Sequence, residues 1–159
     1  MTGGRREKNK DVWWHGGLYF SCLQCGACCG REPGSVSFTD RELEAMSDEL
    51  GISTEEFLGS WAWEKYGVLS LREQLNFDCV FLHTDNGRAS CKIYAVRPSQ
   101  CSAFPFWPDL LGDKFLWDSY ALSCPGMNHG EFHGYDEINR ILAKHRVGFK
   151  SSPRPAGLI

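Results

Sequence analysis

Residues 22–29 read CLQCGACC, four cysteines in eight positions. No other feature restricts the fold as much. Thiols this close in sequence must be bridged, ligated to a shared ion, or used in redox chemistry. Four further cysteines follow at Cys79, Cys91, Cys101 and Cys124.

A structural disulfide frame is the plainest reading, and several features weigh against it. The chain has 159 residues, 42% of them hydrophobic, with six tryptophans. A chain of that size buries a core without covalent staples. The N-terminus carries charges with no apolar stretch behind them, so no export signal is expected. A reducing, cytoplasmic setting follows as the expectation, and stable disulfides are rare there. Cys28 and Cys29 are adjacent, and a bridge between neighbours is strained.

A dithiol redox motif fits the C-x2-C spacing of Cys22 with Cys25 and of Cys25 with Cys28. Such motifs sit between a strand and a long helix. Here Gly26, Gly30, Pro33 and Gly34 follow, and they do not continue a helix. Metal ligation fits better. Cysteines two residues apart can turn both sulfurs toward one centre, and glycines let the backbone curl around it. More distant thiols then complete the shell. This is the logic of a zinc site or an iron–sulfur cluster. All eight cysteines are candidate ligands, for one or two centres. Adjacent side chains diverge, so Cys28 and Cys29 cannot easily serve one ion together. Arg31, Lys92 and Arg97 lie close to cysteines in sequence and could offset thiolate charge. Arg97, beside Pro98, is the candidate partner to a bound cofactor. His129 and His133 stand at four-residue spacing, but Gly130 and Gly134 speak against a shared helical face. They are expected at the surface or behind the ligands. No Ser-His-Asp arrangement, phosphate-cradling loop or nucleotide fingerprint is evident, and no catalytic residue is singled out.

Net charge is −3, yet Arg5, Arg6, Lys8 and Lys10 against Glu7 make the start basic. Residues 1–12 are expected as a disordered basic tail, residues 13–147 as the cysteine-cluster domain, and 148–159 as a C-terminal tail. An acidic body excludes general phosphate-backbone binding, so no nucleic-acid partner is expected. No apolar run approaches the ~20 residues that span a bilayer, so no membrane insertion is expected.

The pattern predicts a small number of short elements. Trp13 to Phe20 reads as an extended segment or turn. Thr39 with Glu42, and Ser53 with Glu56, have capping-box spacing, which predicts helices over 40–50 and 54–63. Segments 79–83 and 89–94 read as a hairpin around Asn86-Gly87. A three-residue loop with Gly87 in a bulge would bring Cys79 and Cys91 to one face, whereas a two-residue loop would pair Cys91 with Leu82. The first register is the expectation. Pro98 at the first helical position would put Cys101 in the opening turn of a short helix, where the helix dipole favours a thiolate. Residues 114–122 read as a strand, Cys124-Pro125-Gly126 as a type II turn, and 135–146 as a helix. Phe104, Phe106, Trp107 and Trp117 are expected in the core, with shielding of a cluster as the alternative.

CLQCGACCG, CVFL, CKIYAVRPSQCSAFPF and CPG, in that order from Cys22 to Gly126, together resemble the CxxCxxCC cysteine-cluster family, also called YkgJ-type. The resemblance takes in all eight cysteines. It departs at Ser102, where many relatives carry Arg. It implies a zinc- or iron-chelating domain. A similar module is part of a flagellin lysine methylating enzyme, although no cosubstrate-binding domain is evident here.

The expectation is therefore a loop-rich α+β domain with short helices and a β-hairpin, organised around cysteine-ligated metal. An iron–sulfur protein with an electron-transfer or oxidoreductase role, acting with a protein or redox partner, leads. A structural zinc module serving as an interaction adaptor, or an accessory domain of a protein-modifying enzyme, is the alternative.

Overall fold

Two local signals start the helical part of the chain. The Thr39 side chain accepts from the backbone N–H of Glu42, and Glu42 returns a bond to the Thr39 N–H, a complete capping box. The helix it opens, α1 (Asp40–Leu50), ends at Gly51 in the left-handed region. Ser53 caps α2 (Thr54–Trp61) through the Glu56 N–H. Both helices match the sequence expectation, except that α2 stops two residues early because Ala62 begins a strand.

The computed structural model describes residues 12–30 and 33–148, with side chains as far as residue 144. Residues 1–11 of the basic tail, Arg31, His145 and the C-terminal tail lie outside the described side chains. The strands form three antiparallel pairs. β1 (Leu18–Phe20) pairs with β6 (Met127–His133), joining the two ends of the domain. β2 (Ala62–Lys65) pairs with β3 (Val68–Leu71) through a turn at Tyr66-Gly67, both with positive φ. β4 (Leu82–Asp85) pairs with β5 (Arg88–Cys91). Short helices α3 (Ser99–Ala103), α4 (Pro108–Gly112) and α5 (Lys114–Ala121) follow, and α6 (Tyr135–Gly148) closes the chain. The architecture is α+β. Among the described residues no helix is long and apolar enough to cross a membrane.

The apolar side chains separate into two clusters. The first gathers Trp14, Phe104, Phe106, Leu110, Trp117, Met127 and Ile138, with Cys124 against its edge. The second gathers Met46, Phe57, Leu71, Phe81 and Ile93, with Cys79 and Cys91 against its edge. Cys79, Cys91 and Cys124 thus lie at the edges of the clusters.

Four expectations are corrected. The segment 114–122 is not a strand: residues 114–121 are helical. Asp113 caps the Phe115 and Leu116 N–H groups, and Lys114 pairs with Asp118 one turn on. The cap and one buried face at Trp117 set the helix. The hairpin takes the two-residue loop: Asn86 and Gly87 both have positive φ, Asp85 faces Arg88, and Leu82 faces Cys91. Cys124-Pro125-Gly126 is a turn closed by the Met127 N–H on the Cys124 carbonyl at 3.2 Å. It is not type II, because Gly126 is not among the positive-φ glycines. Pro98 is the cap of α3 rather than its first residue.

Candidate metal centre

Six of the eight cysteines line one cavity of about 70 Å³: Cys22, Cys25, Cys28, Cys29, Cys91 and Cys124. Phe20, Leu82, Ala89 and Phe104 contribute apolar wall, and Leu23 and Tyr94 stand at the rim. Cys79 and Cys101 are not part of this lining.

The lining thiols are brought there by local chemistry. Ser21 is clamped between two glycines. Its N–H donates to the Gly126 carbonyl at 3.2 Å, and its hydroxyl accepts from the Glu131 N–H at 2.9 Å. A Cβ on Gly126 would overlap the Ser21 carbonyl oxygen, and one on Gly130 would overlap the Ser21 hydroxyl. This close approach sets Cys22, the next residue, beside the Cys124 turn.

The chain then curls at Gln24 and Gly26, both with positive φ, into a single 3-10 turn over Ala27–Cys29. A Cβ on Gly26 would come within 2.9 Å of Ala89 Cβ, so the loop rests directly on β5. The Cys29 carbonyl accepts from the Cys79 N–H at 2.6 Å, tying the cluster to the second group of cysteines. Cys91 ends β5, and Cys101 lies in α3, whose first residue donates its N–H to Glu42 Oε1 at 2.7 Å.

The expected register that would put Cys79 and Cys91 on one strand face is not taken. Cys79 lies before β4, and the Leu82 N–H donates back to its carbonyl at 2.9 Å. The chain turns there, so strand alternation never reaches Cys79. Both thiols then pack against the Phe81 cluster.

The eight cysteines are all free thiols. Cys28 Sγ and Cys29 Sγ are 3.8 Å apart. Among the described residues, no three ligand-type side chains stand close enough to hold an ion as they are. Closure would need thiol rotations. Cys22, Cys25 and Cys28 are exposed, and exposed side chains change rotamer readily.

Crowding governs the protonation of the metal-free thiols. The hydrogen bond with Cys29, then desolvation, pushes the Cys28 thiol up. Burial pushes Cys79 up to about 11, with Cys91 adding to it. Burial also raises Cys91, Cys124 and, most strongly enclosed, Cys101, where Cys79, Cys28 and Cys91 add to the effect. The expected dipole stabilisation of a Cys101 thiolate is therefore overridden: a five-residue helix offers too little to offset desolvation. Arg97 acts the other way on Cys28, Cys91 and Cys101. Its guanidinium carbon lies 3.9 Å from the Tyr94 ring centre, and Nη1 donates to the Tyr94 carbonyl at 2.8 Å. Lys92 is exposed.

The donor set fits a thiophilic metal. It is all sulfur, gathered around one cavity, with a cation nearby. Thiols raised this way give up their protons when a metal binds. The histidines stay apart. His129 is exposed. His133 Nε2 meets the Phe20 carbonyl at 2.9 Å, and Nδ1 lies 3.2 Å from Glu137 Oε1. Neither lines the cavity. Phe104 packs in the first apolar cluster, as expected, and also walls the cavity. Sequence reasoning missed the Ser21 clamp, although a serine just before the cluster and glycines just after Cys124 were its visible signal.

The comparisons with known proteins agree with this chemistry. An uncharacterized protein of Methanocaldococcus jannaschii, MJ0661, is 28% identical over 156 residues, covering 92% of this chain and 82% of the relative. No solved structure matches the chain. A family model matches residues 21–129, a span that holds all eight cysteines. The chain belongs to the CxxCxxCC family, described as a putative zinc- or iron-chelating domain.

Proposed function

We propose that this protein ligates an iron–sulfur cluster through its cysteine thiolates and exchanges electrons with a protein partner. The observation that carries this reading is the convergence of six thiols on one small, apolar-walled cavity. A water needs roughly 10–15 Å³ of such space. A cavity of about 70 Å³ therefore has room for several atoms rather than a lone ion.

A bound cluster would supply one-electron chemistry, with a potential set by net charge, hydrogen bonds to sulfur and solvent exposure. The chain's own residues act on each of these. Arg97 supplies positive charge toward Cys28, Cys91 and Cys101. Phe20, Leu82, Ala89 and Phe104 exclude water from one side. The exposed segment Leu23–Cys25 leaves the other side within reach of a partner.

A structural zinc site is the second reading. One observation favours it: the thiols abut both apolar clusters, so an ion there would staple the two together. Anaerobic purification with iron, acid-labile sulfide and zinc analysis, plus visible absorption, separates the two. A brown protein holding iron and sulfide is the expected result. A colourless protein with stoichiometric zinc and no sulfide would overturn the cluster reading.

A further inference from the structure

We propose that Cys28 and Cys29 close a reversible disulfide in the metal-free chain, and that this bridge shuts the thiol site to metal until a reductant opens it. The blocking of metal rests on the reading that these thiols ligate it; the bridge itself does not.

The side chains of adjacent cysteines are expected to diverge, yet Cys28 Sγ and Cys29 Sγ are 3.8 Å apart. Among the described residues no other pair of thiols makes such a contact, although Cys22 and Cys25 are also exposed and stand at redox-motif spacing. Gln24, with positive φ, turns the chain between those two. Cys28 and Cys29 lie in a single 3-10 turn, with left-handed Gly26 before it and extended Gly30 after it. Glycines on both sides let the backbone adjust as the sulfurs close. Cys28 is exposed, and both residues line the open cavity, so a small disulfide reaches them from solvent.

Strain decides what kind of bridge this is. Neighbouring Cα atoms are about 3.8 Å apart, short of the roughly 4.4–6.8 Å that relaxed disulfides span. Strained or exposed bridges are easily reduced, and they are the labile, regulatory ones. The strain that disqualifies the pair as a permanent staple thus makes its bridge reversible.

Oxidised glutathione, a small-molecule disulfide, is a sufficient oxidant. One cysteine thiolate attacks a glutathione sulfur and displaces one glutathione. The neighbouring thiolate attacks the mixed disulfide at the cysteine sulfur and displaces the second. One S–S bond forms in the chain and one breaks in the oxidant. Two electrons pass to glutathione, and the two cysteine protons end on the two glutathione thiols. A disulfide sulfur is not the thiolate that binds metal, so two of the six lining thiols leave the donor set.

The test treats the full metal-free chain with oxidised glutathione under anaerobic conditions. Intact mass is read first. Free thiols are then blocked with iodoacetamide, the chain is reduced, and newly freed thiols are labelled with N-ethylmaleimide. Tandem mass spectrometry places the second label. It is expected on Cys28 and Cys29, with an intact mass two hydrogens below that of the reduced chain. Retained glutathione, another pair labelled in preference, or no second label would overturn the bridge. Zinc affinity by competition titration should then be lower in the bridged chain by at least about 10-fold, the smallest loss usual when only an outer partner of a ligand is removed. A dithiol reductant should restore it. Unchanged affinity after bridging would overturn the blocking of metal. A reduced chain that binds no zinc would overturn thiolate metal binding itself, and the label map would still decide the bridge.

Discussion

Gly126→Ala should be among the most damaging single-methyl changes in the protein. A Cβ at 126 would overlap the Ser21 carbonyl oxygen, lie 3.1 Å from its carbon, and lie 3.3 Å from Phe20 Cε2. The first two are backbone atoms, so no side-chain rotation relieves the clash. β1 must move away from the Cys124 turn. Overpacking of this kind costs about 1–3 kcal/mol. The Ser21 N–H to Gly126 carbonyl bond is stretched or lost, and such a bond contributes about 0.5–1.5 kcal/mol. Together these give a loss of about 2–4 kcal/mol, or roughly 4–16 °C in melting temperature for a chain of this size. The assay is urea unfolding of the metal-free chain, followed by metal loading at a concentration where the variant still folds. Because the clash separates Cys22 from Cys124, loading should suffer beyond the loss of stability. Gly16→Ala is the control, with no atom within 4 Å of the added methyl. If Gly126→Ala lost less than about 0.5 kcal/mol, the range of ordinary surface changes, and loaded metal normally, the clamp would have no part in building the site.

Four further outcomes can be checked in the same way. Gly59→Ala, inside α2 with open space at the added methyl, should stabilise the chain by about 0.5–1 kcal/mol in urea unfolding. Thr39→Ala should cost about 1 kcal/mol by removing the cap of α1. Glu42→Ala should cost more, since its carboxylate also accepts from Ser99, the first residue of the Cys101 helix. Finally, pH should act oppositely on the metal-free and loaded forms. The Cys79 thiol is raised from its ordinary 9.0 to about 11 in the folded chain. Between those values the unfolded chain has released a proton that the folded chain keeps. The stability of the metal-free form, followed by denaturant titration, therefore falls from pH 9 to 11. Binding displaces protons, so zinc affinity by competition titration should rise over pH 6–8. A flat profile in either case would contradict the role given to thiol protonation.

The helices were legible where a short-range signal sets them. Thr39 with Glu42 and Ser53 with Glu56 announce α1 and α2 because capping acts over three residues. The KFLWDSYAL segment was not legible, since its helix depends on a cap at Asp113 and on burying Trp117 against distant side chains. The hairpin shows how a sound rule can be misapplied. Alternation correctly ties register to facing, but it holds only within the strand, and Cys79 lies outside it. The eight cysteines were visible as candidates because thiols have few bland explanations in a chain of this size. Their surroundings were hidden. Leu82, Ala89 and Tyr94 carry no sequence mark of lining a cavity. Tyr94 under Arg97 is a contact that spacing alone permits but does not require.

X-ray absorption at the metal edge of the anaerobically purified protein tests the central claim most directly. Metal–sulfur distances near 2.3 Å are expected for a thiolate-bound zinc centre, and an iron–sulfur cluster would add an iron–iron scattering shell. In either case sulfur should fill the first coordination sphere. A sphere dominated by nitrogen or oxygen would mean that the metal sits elsewhere and that the gathered thiols do not hold it.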